Sequence, residues 1–312
     1  MNNLTDKILN LKKEKNAIIL AHYYVKGDLQ DIADFVGDSL ALSQQAAKTN
    51  ADIILFIGVH FMAETAKILS PTKKVLIPDI NAGCSLADSC PEDDFSKFIS
   101  LYPNRTVISY VNTTAKIKAL SDIICTSSNA VQIVESLPKD KGIIFGPDKN
   151  LGDYINKLTG RNMILWDGAC HVHHKFSLER ILELKKLNPK AEIIAHPECQ
   201  KPILLISDFI GSTSALLNYT GKSKSNTFIV ATESGILHKM KSENPNKEFI
   251  PAPGDDPECA CNDCEFMKLH NLEKVYNCLL NESPEIFIDN ELSKSAFKSI
   301  KNMLDVSQKL GL

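Results

Sequence analysis

Three stretches of this chain repeat one pattern, and the repeat restricts the fold more than any other feature. From His22 to Ser39, Tyr110 to Ser127 and His196 to Thr213, a ring-bearing residue ends an apolar run and an Asp follows at Asp34, Asp122 or Asp208. A hydroxyl then stands 5 residues past the Asp, so ring and hydroxyl are 17 residues apart each time. A cysteine comes 62, 60 and 68 residues after the three rings, at Cys84, Cys170 and Cys264. A repeat that also repeats its polar chemistry predicts one site assembled from three equivalent pieces.

The local pattern around each unit predicts parallel α/β structure. In the middle unit TVISYVN, DIICTS, GIIFGPD and NMILWDG are short β-branched apolar runs, separated by the helix-like TTAKIKAL, NAVQIVESL and LGDYINKL. The first unit offers AIILAHYY, ADFVGDS, ADIILFIG and KKVLIPD at matching places, and the third offers AEIIAHPE, SDFIGSTS, NTFIVATE and KEFIPAPG. Strands alternating with helices require crossover connections, and near-continuous apolar strands suit sheets covered on both faces. The expected fold class is therefore α/β, with three similar parallel-sheet α/β/α units in a pseudo-threefold arrangement around a central active site. The expected boundaries are residues 1–95, 96–186 and 187–265 for the three units and 266–312 for C-terminal packing helices. In open parallel sheets ligands bind beyond the carboxyl ends of the strands, where every repeated ring residue falls.

Composition narrows the class of partner. A net charge of −3 over 312 residues gives no electrostatic footprint for nucleic acid. No stretch of about 18 apolar residues suggests a membrane span, and the Lys-rich start lacks a signal-like apolar region, so a soluble cytoplasmic protein acting on small molecules is expected. Nine cysteines, an odd number without a secretory signal, favour thiolate or metal chemistry over a disulfide framework.

Three distant thiolates at equivalent positions fit an iron-sulfur cluster with one iron left open better than zinc, which usually takes four protein ligands in a structural site. Cys259 and Cys261 stand close enough to Cys264 to replace it or to form a redox pair with it. Cys90, Cys125, Cys199 and Cys278 read as structural. The run Cys170, His171, His173, His174 is too tightly spaced for a zinc finger; His173 or His174 could line the cleft, with a surface position as the default. His60 reads at least as well as a helix start as a cleft residue.

His22, Ser39, Ser127, His196 and Thr213 offer donors suited to a small polyanion such as a dicarboxylate, and Tyr110 and Asn112 add a phenol and an amide. Glu198 is the one carboxylate at its strand position, where the other units have Tyr24 and Asn112, and is a candidate base. Each hydroxyl could equally cap a helix, which is compatible with binding an anion at the same helix start.

AHYY, YVN, TSSNA, HPEC and GSTSAL, together with three separated cysteines, resemble the quinolinate synthase family of de novo NAD biosynthesis over nearly the whole chain. The resemblance implies three α/β domains about a pseudo-threefold axis and a [4Fe-4S] cluster held by Cys84, Cys170 and Cys264. It implies condensation of iminoaspartate with dihydroxyacetone phosphate to quinolinate, phosphate and water, with L-aspartate oxidase as a functional partner. Carried over by position, the substrate-binding set is His22, Ser39, Tyr110, Val111, Asn112, Ser127, His196, Pro197, Glu198 and Thr213. Glu198, Tyr110, His22 and Tyr24 are the catalytic candidates. Tyr23 and Glu265 depart from the family pattern, which commonly has Asn and Pro there, and the CACNDC spacing differs from the C-x2-C-x2-C of some members. An iron-sulfur hydro-lyase acting on a hydroxydicarboxylate and a non-catalytic zinc-stabilised binding protein are the alternatives.

Overall fold

The computed structural model describes residues 4–255 and 263–312. Its strands form three four-stranded, all-parallel sheets. The first part of the chain runs α1 (Leu4–Glu14), β1 (Ala17–His22), α2 (Gly27–Asp31), β2 (Phe35–Gly37), α3 (Ser39–Lys48), β3 (Ile53–Ile57), α4 (His60–Leu69), β4 (Lys74–Leu76), α5 (Ser85–Asp88) and α6 (Glu92–Ser100). The second runs β5 (Thr106–Tyr110), α7 (Ala115–Ala119), β6 (Ile123–Cys125), α8 (Ala130–Ser136), β7 (Ile143–Gly146), α9 (Lys149–Thr159), β8 (Ile164–Leu165), α10 (His171–His174) and α11 (Leu178–Leu187). The third runs β9 (Glu192–Ala195), α12 (Lys201–Leu205), β10 (Phe209–Ile210), α13 (Thr213–Lys222), β11 (Thr227–Ala231), α14 (Ile236–Glu243) and β12 (Glu248–Pro251), before α15 (Leu272–Asn281) and α16 (Asn290–Lys309).

The three strand orders are one order used three times: β2-β1-β3-β4, β6-β5-β7-β8 and β10-β9-β11-β12. The first strand of each unit is thus central, flanked by the second and third, and it carries its ring residue to the carboxyl edge. All five residues of β3 are buried, as expected for a strand covered on both faces.

The repeated Asp has a structural task, and it is identical in all three units. The amide of Asp34 donates to Ile19 O at 2.9 Å, while its Oδ2 accepts from Ile19 N at 2.8 Å. Asp122 makes the same pair with Val107 (2.9 and 2.8 Å), and Asp208 makes it with Ile193 (2.7 and 2.8 Å). Each Asp closes the hydrogen bonding of the central strand just before the neighbouring strand begins, fixing register where a one-residue slip would turn the core face outward.

The C-terminal segment ties the units together. Ile77 N donates to Pro284 O at 3.2 Å and Ile286 N to Val75 O at 2.8 Å, so the chain after α15 covers the edge of β4. Helix α15 packs on α1, while α16 packs on α7, β6 and α4. Ser299 Oγ of α16 donates to Lys118 O at 2.7 Å, and Asn129 Nδ2 donates to Ser307 Oγ at 2.9 Å.

Candidate active site

The carboxyl edges of the three sheets face one cavity. Its lining includes His22, Tyr24 and Ser39 from the first, Tyr110, Asn112 and Ser127 from the second, and His196, Glu198 and Thr213 from the third, with Cys84, Cys170 and Cys264. Of the residues expected from sequence, only Val111 and Pro197 are absent from this lining. The Val111 carbonyl is instead held by the ammonium of Lys118 at 2.9 Å, and Lys118 also donates to Thr113 O. This buried cation, its pKa lowered to about 8 by burial, supports the turn that presents Asn112. Asn112 Oδ1 is buried with no partner among the described residues, an acceptor left over for a ligand. A wider groove of about 520 Å³ lies on the outside, lined by Asn150, Tyr154, Lys201 and Phe209 among others. It holds none of the repeated ring, hydroxyl or cysteine positions, all of which line the smaller cavity.

The hydroxyls are free to face inward because their neighbours cap the helices. Asp38 accepts from Ala41 N at 3.0 Å and Ser212 from Ala215 N at 3.3 Å, which leaves Ser39 and Thr213 as the first residues of α3 and α13. In the second unit the turn is held by Asn129 Oδ1, which accepts from Thr126 N at 2.7 Å, and Ser127 follows.

His22 and His196 are set alike. Tyr24 N donates to His22 Nδ1 at 3.2 Å, and Glu198 N to His196 Nδ1 at 3.4 Å. A ring nitrogen that accepts must be unprotonated, which puts the remaining proton on Nε2. Burial lowers the pKa of His22 to about 4 and that of His196 to about 3, so both are neutral donors at pH 7. The 3.8 Å approach of His196 Nδ1 to Glu198 is accordingly a contact and not an ion pair.

A chain of hydrogen bonds crosses all three units. Tyr110 Oη donates to Glu198 Oε1 at 2.5 Å, and His173 Nδ1 lies 3.0 Å from Glu198 Oε2 and 3.3 Å from Cys170 Sγ. His173 Nε2 meets Thr232 Oγ1 at 2.9 Å, Thr232 meets Tyr24 Oη at 2.6 Å, and Tyr24 meets Thr213 Oγ1 at 3.0 Å. Burial opposes a charge on Glu198, but His173 and the Tyr110 hydroxyl outweigh it and hold the carboxyl below its ordinary range. Burial and the Glu198 charge push the Tyr110 phenol well up. The pair is thus a carboxylate with a phenol proton already aimed at it. Gly235 allows Tyr24 its place, since a Cβ there would stand 2.4 Å from Tyr24 O.

His173, taken from sequence as a surface histidine by default, is buried at the centre of this network, while His60 starts α4 outside the lining. Asp38, Thr126 and Glu233 also line the cavity without having been singled out. The first two precede the repeated hydroxyls, so the repeat itself was the signal. Thr232 and Glu233 follow β11; the acid recurs only in the second unit, as Asp148, and nothing in the repeat marked Thr232.

The cysteines repeat a local geometry. Cys84, Cys170 and Cys264 each stand at the start of a turn whose amides reach the sulfur, from Leu86 and Ala87, from His173, and from Phe266 and Met267. Amides aimed at sulfur favour thiolate, whereas burial pushes Cys84 up to about 12, Cys264 to about 11 and Cys170 well up. Such thiols ionise when a metal cation offsets the burial. A single tetrahedral ion with sulfur at about 2.3 Å would draw thiolates to about 3.8 Å of one another. Among the described residues, only Cys170, His173 and Glu198 form a group of three such ligand atoms within 4.8 Å. The three cysteines do not all lie within that distance of one another, which does not suit a single ion bound by all three. Cys259 and Cys261 lie outside the described residues. Cys90, Cys125, Cys199 and Cys278 are buried in the core. Glu265, the departure after the third cysteine, has its carboxylate 3.5 Å from His171 Nε2, and His171 Nδ1 is 2.5 Å from Ser85 Oγ.

Residues 6–305 match the family described as Quinolinate synthetase A protein. The chain is 58% identical to the quinolinate synthase of Thermosynechococcus vestitus and 59% to that of Synechocystis sp., each over 97% of this chain and 95% of the relative. It is 58% identical to the quinolinate synthase of Rippkaea orientalis over 98% of this chain and 94% of that one. Three sheets of one topology, a shared cavity and matches over nearly the full length agree: this chain belongs to the quinolinate synthetase A family.

Proposed function

We propose that the chain condenses iminoaspartate with dihydroxyacetone phosphate to give quinolinate, phosphate and water, with a [4Fe-4S] cluster held by Cys84, Cys170 and Cys264. The observation that carries this reading is the convergence of three half-buried cysteines, two neutral histidines and the anionic Glu198 on a single cavity. When bound, such a cluster with one iron open supplies Lewis acidity for loss of water. The chain's own side chains do the rest. His22 and His196 offer Nε2 protons, and Ser39, Ser127, Thr213 and Asn112 add hydroxyl and amide donors, to the carboxylates and phosphate of the two substrates. Holding both substrates together supplies the orientation that carbon-carbon bond formation needs.

Glu198 takes the proton that turns the imine into its nucleophilic enamine, and Tyr110 returns a proton as phosphate or hydroxyl leaves. Tyr24, linked through Thr232 and His173 to Glu198, carries the proton path towards the first sheet. The imine is unstable in water, so an L-aspartate oxidase that makes it is the natural functional partner.

The test is anaerobic purification with iron and sulfide analysis, followed by phosphate release from dihydroxyacetone phosphate in the presence of freshly generated iminoaspartate. About four irons and four sulfides per chain with imine-dependent phosphate release support the reading. A cluster with no phosphate release points to a hydro-lyase. The compact group Cys170, His173 and Glu198 favours a second reading, a single metal ion. One zinc or iron per chain without sulfide would establish it in place of the cluster.

A further inference from the structure

The register of the three sheets aligns their third strands. Ile57, Gly146 and Ala231 pair with Ala21, Ser109 and Ala195, each the residue just before a repeated ring. Two residues further on, the equivalent positions are Val59, Asp148 and Glu233. Two of three units therefore carry an acid where the first has an aliphatic side chain, and both acids are buried, at 0% and 1% exposure.

Their oxygens are divided in the same way. Asp148 Oδ1 accepts from Leu151 N at 2.8 Å, capping α9, while Oδ2 accepts from Cys170 N at 3.1 Å. Glu233 Oε2 accepts from Gly235 N at 2.7 Å, holding its own turn, while Oε1 accepts from Cys264 N at 3.1 Å and from Lys268 Nζ at 2.7 Å. Lys268 also donates to Tyr24 O at 2.7 Å, so the loop of the third cysteine is tied to the first sheet as well. A helix cap or turn needs one acceptor, and Ser, Thr or Asn provides it without burying an acid. The second acceptor has a different use in both units, and it is the same use: the main chain of a cysteine.

We infer that Asp148 and Glu233 are positioning residues that lock the amides of Cys170 and Cys264 and so fix two of the three thiols around their shared metal group. This rests on the cluster reading above. The Val59 side chain offers no acceptor, so the lock is confined to the second and third units.

Asp148→Asn and Glu233→Gln test it, because an amide keeps one acceptor and presents an NH2 where the second stood. Asp122→Asn serves as the control for general destabilisation. The readouts are the rate of iron loss from anaerobically loaded protein to a chelator, the electron paramagnetic resonance spectrum of the reduced cluster, and the melting temperature of the apoprotein. The expected result is iron loss at least fivefold faster in both variants, the factor given by about 1 kcal/mol for a buried amide left unpaired, with altered resonance lines. Asp122→Asn is expected to lower the melting temperature and leave iron loss unchanged. Wild-type rates and spectra in both variants overturn the inference, as does equal acceleration in Asp122→Asn. Should the variants not fold, amide exchange in the wild-type apoprotein decides: slow exchange at Cys170 and Cys264 supports the lock, and fast exchange overturns it. If wild-type protein binds no iron while its amides are protected, the cluster reading fails and the positioning role towards it falls too.

Discussion

Glu198 is held by a phenol on one side and an imidazole on the other, and the two contacts make different predictions. In Tyr110→Phe the ring still fills its place, Glu198 keeps His173, and only the proton aimed at Oε1 is lost. Turnover is expected to fall roughly 100- to 10,000-fold, the range for a general acid or base, in a protein that still folds and binds iron. Steady-state phosphate release with an iron assay on the same sample measures this; near-normal turnover would remove Tyr110 from proton transfer. His22 and His196 make a prediction about pH. Their folded pKa values of about 4 and 3 lie below the ordinary 6.5, so the unfolded chain takes up protons first as pH falls. The stability of keeping them neutral is complete above about pH 6.5 and drains away down to about pH 4 and pH 3. By pH 5 each contributes a loss of roughly 2 kcal/mol. Urea unfolding of the apoprotein at pH 7.5 and pH 5 should show this fall, and His22→Gln should make it shallower. Glu198 and the ring residues were legible in sequence because a repeated spacing exposed the one position that broke it. His173 was not, since its neighbours His171 and His174 gave it no distinguishing pattern and only tertiary packing buries it.

At the level of strands and helices, the repeat proved to mix two functions that sequence could not separate. Ring and hydroxyl line the cavity, whereas Asp34, Asp122 and Asp208 pin the entry of the neighbouring strand, about a strand length away from the carboxyl edge. Their place before a strand and not after one was the available sign. Replacing any one with Ala leaves the amide of Ile19, Val107 or Ile193 without its acceptor, at a cost of about 1–3 kcal/mol. The three single variants should therefore lose similar stability in urea unfolding. A large loss in one and none in the others would show that the shared geometry does not carry shared energy. The strand readings were sound in position but generous in length: NMILWDG and SDFIGSTS pair over only Ile164–Leu165 and Phe209–Ile210. Both are edge strands, where one missing neighbour shortens the ladder while the apolar run continues for packing.

Across the whole molecule, the central question is whether three units make one centre or three. The cavity is lined from every sheet, and the hydrogen-bond chain passes from Tyr110 to Glu198, His173, Thr232, Tyr24 and Thr213, changing unit at each step. Convergence of this kind was expected from strand ends, but the route of the chain was not, because Thr232, in the turn after β11, and His173, in the short helix α10, lie outside the repeated positions. A shared centre has a sharp consequence for ligand removal. With the proposed [4Fe-4S] cluster shared between them, Cys84→Ser, Cys170→Ser and Cys264→Ser, each in a different unit, should all lose the whole group, so iron falls from about four per chain towards zero in every case. Independent sites would instead lose about a third of the metal in each variant. Cys90→Ala, at the end of the first unit, packed against Val107 and Ile144 of the second sheet and away from the cavity, should keep full iron. The Cys259→Ser and Cys261→Ser variants complete the set: full iron in both, with loss in Cys264→Ser, assigns the third ligand, while loss in either moves it. Iron content, sulfide content and apoprotein melting temperature on this one panel separate a missing ligand from a missing fold. The shared centre fails if any of the three cavity variants retains two-thirds of its iron.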